Sequence, residues 1–134
     1  MRAMVLSSPA PIESSPLAAI DGPLPEPGAG EVRVRVRACG ACRTDLHVVE
    51  GELAQLRRPL IPGHQAVGTV DSLGPGALRF GIGDRIGIAW LRSACGRCRF
   101  CLANRENLCE RSTYTGWTHD GGYAEYACVP VNVQ

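Results

Sequence analysis

The chain has 134 residues, 45% of them hydrophobic, and a formal net charge of +1. That suffices for one domain with a core, and the near-neutral balance gives no electrostatic reason to expect nucleic acid or an anionic membrane as partner. Seven cysteines cannot all pair in disulfides, so metal binding in a reducing cytoplasm is the expected use, and no apolar run has the length of a signal peptide or a membrane span.

Ala3 to Leu6 reads as a first strand. A Pro-rich passage follows from Pro9 to Pro27, with a possible strand at Leu17–Ile20 inside it. Glu31 to Cys39 is the clearest strand: Val32, Val34 and Val36 alternate with Arg33, Arg35 and Arg37. Period two predicts valines on the core face and arginines in water. Thr44 or Asp45 is expected to cap a short helix ending at Gly51, with Leu46 and Val49 facing inward. Thr44 and His47, three apart, fall on one side of that turn. Ala66 to Leu73, Arg85 to Ala89 and Tyr123 to Val129 read as further strands between Gly/Pro turns, and Pro130 is expected to end the last of them. Many short strands and little helix predict a mainly β, barrel-like domain, without internal repeats.

The most informative stretch is CGRCRFCLANRENLCE, Cys95 to Glu110. Cys95, Cys98 and Cys101 form two overlapping CxxC steps on one turning segment, and the longer return lets Cys109 close a tetrahedron. Zinc takes four thiolates at about 2.3 Å in that geometry. The stretch offers only Phe100, Leu102 and Leu108 as sizeable apolar groups, so it needs such a staple. Two rivals stand beside zinc. An iron–sulfur site shares the first three cysteines but continues with a shorter gap and a proline, and disulfides would have to form strained pairings in a small lobe.

Cys42 and His64 are a second, weaker metal candidate. Cys42 opens the short helix, whose positive end favours a thiolate, and His64 follows Gly63 at the start of a strand. A core thiol and an ordinary imidazole explain the same two residues. Cys39 and Cys42 also form a CxxC, without the βαβ pattern of a thioredoxin-like redox site.

GACRTDLHVVEG, PLIPGH, VGTV, GDRIGIAWL, the four-cysteine lobe and DGGYAEY occur in this order. Together they resemble the zinc-dependent medium-chain alcohol dehydrogenases, over essentially the whole chain. The resemblance implies a GroES-like, partly closed β-barrel with short helices and a zinc lobe at residues 95–111. It implies that residues 1–134 are the catalytic domain, with the Rossmann nucleotide-binding domain lying beyond the chain. None of the three GxG triplets continues to GxGxxG.

The resemblance also implies roles. Cys42 and His64 match catalytic zinc ligands, and Cys95, Cys98, Cys101 and Cys109 match structural zinc ligands. Thr44 matches the hydroxyl that accepts the substrate proton, and His47 the end of the relay that also lies by the cofactor. Asp45 matches the carboxylate that orients His64, Arg43 a contact to the cofactor pyrophosphate, and Trp90 an aromatic wall of the substrate pocket. Gln65 stands where many relatives carry glutamate, and the third catalytic ligand of the family falls beyond Gln134. The expected activity is zinc-dependent oxidation of a small alcohol to an aldehyde or ketone, or the reverse, with NAD or NADP. It is expected of a cytoplasmic full-length enzyme that could be a homo-oligomer, and not of this chain alone. The rivals are a reductase or polyol dehydrogenase of the same superfamily and a non-catalytic zinc-binding adaptor domain.

Overall fold

The computed structural model describes residues 1–131. The chain folds mainly into strands. β1 (Arg2–Leu6) pairs antiparallel with β2 (Leu17–Asp21). β3 (Glu31–Gly40), β4 (Gln65–Leu73), β5 (Arg85–Ile88) and β8 (Tyr126–Pro130) form a four-stranded antiparallel sheet in the order β5-β4-β3-β8. β6 (Leu91–Ser93) and β7 (Thr113–Tyr114) make a third, two-stranded ladder. Single bridges, Ala3 to Ala124 and Leu6 to Leu60, join β1 to the rest. The strands wrap without closing a barrel, so the expected partly closed form is the open one among the described residues. One helix, α1 (Arg43–Glu50), follows β3 directly. No helix among the described residues is long and apolar enough to cross a membrane.

The valine alternation in β3 works as period two demands, because Val32 and Val34 are fully buried. They meet Val70 of β4, Ile86 and Ile88 of β5, and Val129 of β8 in the main core. Val36 lies at the margin of this core, just before a break in the pairing register. A second core joins Leu6, Val48, Val49 and Leu60. Each fully buried leucine there contributes roughly 1.5–3 kcal/mol.

Three local expectations are corrected. The arginine row of β3 is not uniformly in water: Arg33 is 13% exposed and forks onto Asp71 at 2.9 and 3.2 Å. It also donates to the Pro25 carbonyl, since the Pro-rich passage folds back over this face. In α1 the inward residues are Val48 and Val49 while Leu46 stays half-buried. The reason is that the start of the helix is turned by Asp45, which is itself buried. The last strand begins at Tyr126, because residues before it pair elsewhere: Glu125 N–H donates to Arg2 and Tyr123 N–H to Pro62.

The small β6–β7 ladder, which the sequence pattern did not reveal, is anchored by Arg92. This arginine is 6% exposed, donates to the Cys128 carbonyl at 2.8 Å and pairs with Glu31 at 2.5 Å. Burial pulls its guanidinium below the usual arginine range, against the attraction of Glu31. The pair ties the base of the cysteine lobe to β3 and β8.

Candidate functional site

β3 ends at Gly40, opposite Gln65, the first residue of β4. Cys42 and His64 therefore sit just past the paired ends of two adjacent strands, and their side chains meet. Cys42 Sγ is 3.3 Å from His64 Nε2. Tetrahedral zinc with ordinary sulfur and nitrogen bonds would separate these atoms by about 3.6 Å. The other imidazole nitrogen, Nδ1, lies 3.1 Å from Asp45 Oδ1. Asp45 Oδ2 accepts the Cys42 backbone N–H at 2.8 Å. Both carboxylate oxygens are thus engaged, so Asp45 orients His64 and leaves Nε2 free for a metal.

The same contacts settle the helix start. Cys42 is the N-cap, with Asp45 at the third helical position completing a capping box. The expectation that Thr44 or Asp45 caps is corrected accordingly: Cys42 is extended while both successors are already helical. Burial alone would raise the Cys42 thiol. The amides of Thr44 and Asp45, the Thr44 hydroxyl and His64 outweigh it, leaving the thiol below its ordinary range. Burial likewise opposes ionisation of Asp45, but the bonds from His64 and the Cys42 amide hold it below the usual carboxylate range. Asp45 in turn holds the His64 imidazolium above its ordinary range, against burial. Tyr123 stands beside Asp45, and burial of the ring together with the Asp45 charge pushes the phenol above its ordinary range, a neighbour that no sequence feature announced.

An open cleft of about 710 Å³ lies over these residues, within the ~300–1,000 Å³ of small-molecule pockets. Cys42, Thr44, His64, Gln65 and Trp90 line it, with Val67 and Ile88. Trp90 stands edge-on to His64, ring centroids 4.9 Å apart. Tyr114 and Trp117 pack behind it at 4.9 and 5.9 Å. These two aromatics were missed, and their spacing from Trp90 carries no periodicity that could have flagged them. Arg43 is exposed at the first position of α1. His47 is not among the lining residues; its Nδ1 lies 2.5 Å from Glu52 Oε2.

The backbone around His64 is unusually close-set. Gly63 has φ +94°, and a Cβ on Gly121 would fall 2.0 Å from the Gly63 carbonyl oxygen. Gly121 N–H donates to Ile61 at 2.7 Å and Gly122 N–H to Gly63 at 2.8 Å. Gly121→Ala is expected to force these segments apart and to cost about 1–3 kcal/mol or more in urea unfolding. Unchanged stability would mean that the segments move freely.

In the lobe, Cys98 and Cys101 sulfurs are 3.5 Å apart, and Cys95 and Cys101 sulfurs 3.9 Å. The edge of a tetrahedron with 2.3 Å bonds is about 3.8 Å. A disulfide would need about 2.05 Å. All four sulfurs lie within 4.8 Å of one another, which is room for one ion and not for an iron–sulfur cluster. The Arg97 and Cys98 amides pull the Cys95 thiol down to about 6, despite desolvation. Burial and the bond from Cys98 push Cys101 up to about 12. A cation is what lets such a set ionise together. Arg111 reaches Cys95 at 3.3 Å, and four arginines against two glutamates between residues 95 and 111 would offset the negative charge of a divalent ion held by four thiolates. Leu102 and Leu108 point mostly outward, 74% and 47% exposed, so little apolar packing supports the lobe.

Residues 28–133 match the family described as the alcohol dehydrogenase GroES-like domain. A probable alcohol dehydrogenase of Mycobacterium tuberculosis is 49% identical over 135 residues, covering 97% of this chain and 39% of that protein. An alcohol dehydrogenase of Geobacillus stearothermophilus is 52% identical over 103 residues, 76% of this chain and 31% of that protein. Among solved structures, a cobalt- and zinc-bound thermostable alcohol dehydrogenase from Pyrobaculum aerophilum superposes with a TM-score of 0.89 at 37% identity, covering 97% of this chain and 39% of its own. The chain thus spans between about a third and two-fifths of the length of these relatives.

Proposed function

Since the chain belongs to the alcohol dehydrogenase GroES-like domain family, we propose that it is the metal-binding catalytic part of a longer zinc-dependent alcohol dehydrogenase. The observation that carries this reading is the Cys42–His64 pair at 3.3 Å, braced by Asp45, on the floor of an open cleft. A non-catalytic adaptor needs the four-cysteine lobe alone; the second ligand group beside a cleft favours the enzyme. Residues 1–134 then form the catalytic domain, with residues 95–111 as its structural zinc lobe and a nucleotide-binding domain supplied further along the longer chain.

Cys42 and His64 hold a catalytic zinc in this reading, and Asp45 keeps the His64 lone pair aimed at it. Such a zinc, together with a bound NAD or NADP, supplies Lewis-acid activation of an alcohol oxygen and an acceptor for the hydride. Trp90 excludes water from one side of the cleft and meets the apolar part of a small alcohol or carbonyl substrate. The Thr44 hydroxyl, in the cleft wall beside Cys42, takes the substrate proton. His47, one helical turn on and paired with Glu52, passes it outward. Arg43, exposed at the helix start, is free to meet the cofactor pyrophosphate. A cytoplasmic location fits seven unbridged cysteines.

The test is metal removal in the longer protein. Nicotinamide reduction with a short-chain alcohol should stop on chelation and return with zinc. Asp45→Asn should weaken the cleft zinc by roughly 10- to 100-fold while sparing the lobe zinc. Equal loss of both metals, or turnover that survives complete chelation, would overturn the reading.

A further inference from the structure

The four-cysteine lobe is an insertion between two very short strands. β6 runs from Trp90 into the lobe, and the lobe returns through Ser112 into β7. Leu91 pairs with Tyr114 and Ser93 with Thr113. The Ser93 and Thr113 hydroxyls are 2.6 Å apart, and Thr115 N–H donates to the Trp90 carbonyl at 2.9 Å. A two-stranded ladder this short is marginal without outside support. Cys95 and Cys109 flank it, and the Cys95 amide already donates to the Cys109 sulfur at 3.4 Å. A metal joining them closes the open end of the ladder.

From Cys109 a continuous set of contacts leads to the cleft. Ser112 Oγ donates to the Cys109 carbonyl at 2.7 Å, which leaves the Tyr114 hydroxyl to donate to Ser112 Oγ, also at 2.7 Å. The Tyr114 ring lies against Trp90, and Trp90 against His64, each with centroids 4.9 Å apart. Trp117 stacks on Trp90, 9° from parallel, and lies 5.5 Å from the Tyr114 ring, its indole N–H held by the Ala54 carbonyl.

We propose that the four-cysteine lobe positions the aromatic wall of the cleft: metal at Cys95, Cys98, Cys101 and Cys109 clamps β6 to β7, and Tyr114, hung from Ser112, presses Trp90 against His64. Tyr114 is then a positioning residue, and the state of the lobe metal sets how the cleft receives the apolar part of a substrate. This rests on the lobe holding a metal, which the experiment measures separately.

The chain's two tryptophans are the stacked pair itself, so the folded wild type is expected to show a bisignate circular-dichroism couplet that reports their stacking. Cys98→Ser should lose one metal equivalent by elemental analysis and most of the couplet, with β3–β4 amides still protected from hydrogen exchange. Tyr114→Leu should lose the couplet while retaining both metals, and in the longer protein should raise KM for a long-chain alcohol with little change in kcat. If Cys98→Ser loses core protection as well, Tyr114→Leu decides alone. An intact couplet in a folded variant lacking the lobe metal, or in Tyr114→Leu, overturns the link. A wild-type protein without lobe metal would instead overturn the reading of the lobe.

Discussion

Cys98→Ser is expected to unravel residues 95–111 while the four-stranded sheet stays folded. Structural zinc sites bind with an apparent ~10–16 kcal/mol, and that free energy is the folding free energy of the segment they hold. Nothing else on the lobe approaches this. Leu102 is 74% exposed, and Phe100 is only half-buried, with the Arg99 guanidinium over its ring at 4.5 Å. Serine is a poor zinc ligand, and three thiolates leave one corner of the tetrahedron open. The measurement is limited proteolysis with trypsin, read by mass spectrometry. Exposed Arg97, Arg99 and Arg105 should become cleavage points, with one metal equivalent gone. Full metal content and protease resistance in the variant would remove the assignment.

Thr44→Ala in the longer protein is expected to lower turnover by roughly 10²- to 10⁴-fold, the usual contribution of a positioned proton acceptor. Melting temperature and lobe metal should hardly move, and the cleft metal, whose Cys42 ligand loses the Thr44 hydroxyl, is kept saturated with added zinc during the assay. The structure makes this separation possible, because the helix is capped by Cys42 and Asp45 rather than by Thr44. Alanine also has the higher intrinsic helix propensity. A loss of turnover therefore reports the missing hydroxyl in the cleft and not a frayed helix. Thr44→Ser should restore most of the activity. Near-normal turnover in the alanine variant would mean that the proton leaves by another route.

Some of the molecule is written locally, and that part was legible. The four lobe cysteines lie within fifteen residues, so their convergence needs only a turning backbone and no distant partner. The Val32–Val34 alternation marks a core face because strand geometry points every second side chain the same way. The order of the short motifs is likewise a property of the chain itself, and it carried the family resemblance.

Other features exist only once segments distant in the chain are packed. Cys42 and His64 are 22 residues apart, and it is the antiparallel register, Gly40 opposite Gln65, that leaves both at one end of a strand pair. The burial of Arg33 depends on Asp71 and on the Pro25 carbonyl, and that of Arg92 on Glu31 and Cys128. A charge pattern read along one strand cannot contain such partners. The aromatic wall draws Trp90 from before the lobe and Tyr114 and Trp117 from after it, against His64 from β4's approach. The sequence by itself determined which residues can bind metal and which face of β3 is apolar, because ligand chemistry and side-chain period are local. The tertiary structure alone decided that a thiol, an imidazole and the Trp90 ring share one cleft, with Tyr114 and Trp117 packed behind that ring, because strand register and close backbone approach at Gly63 and Gly121 are set by contacts between segments far apart in the chain.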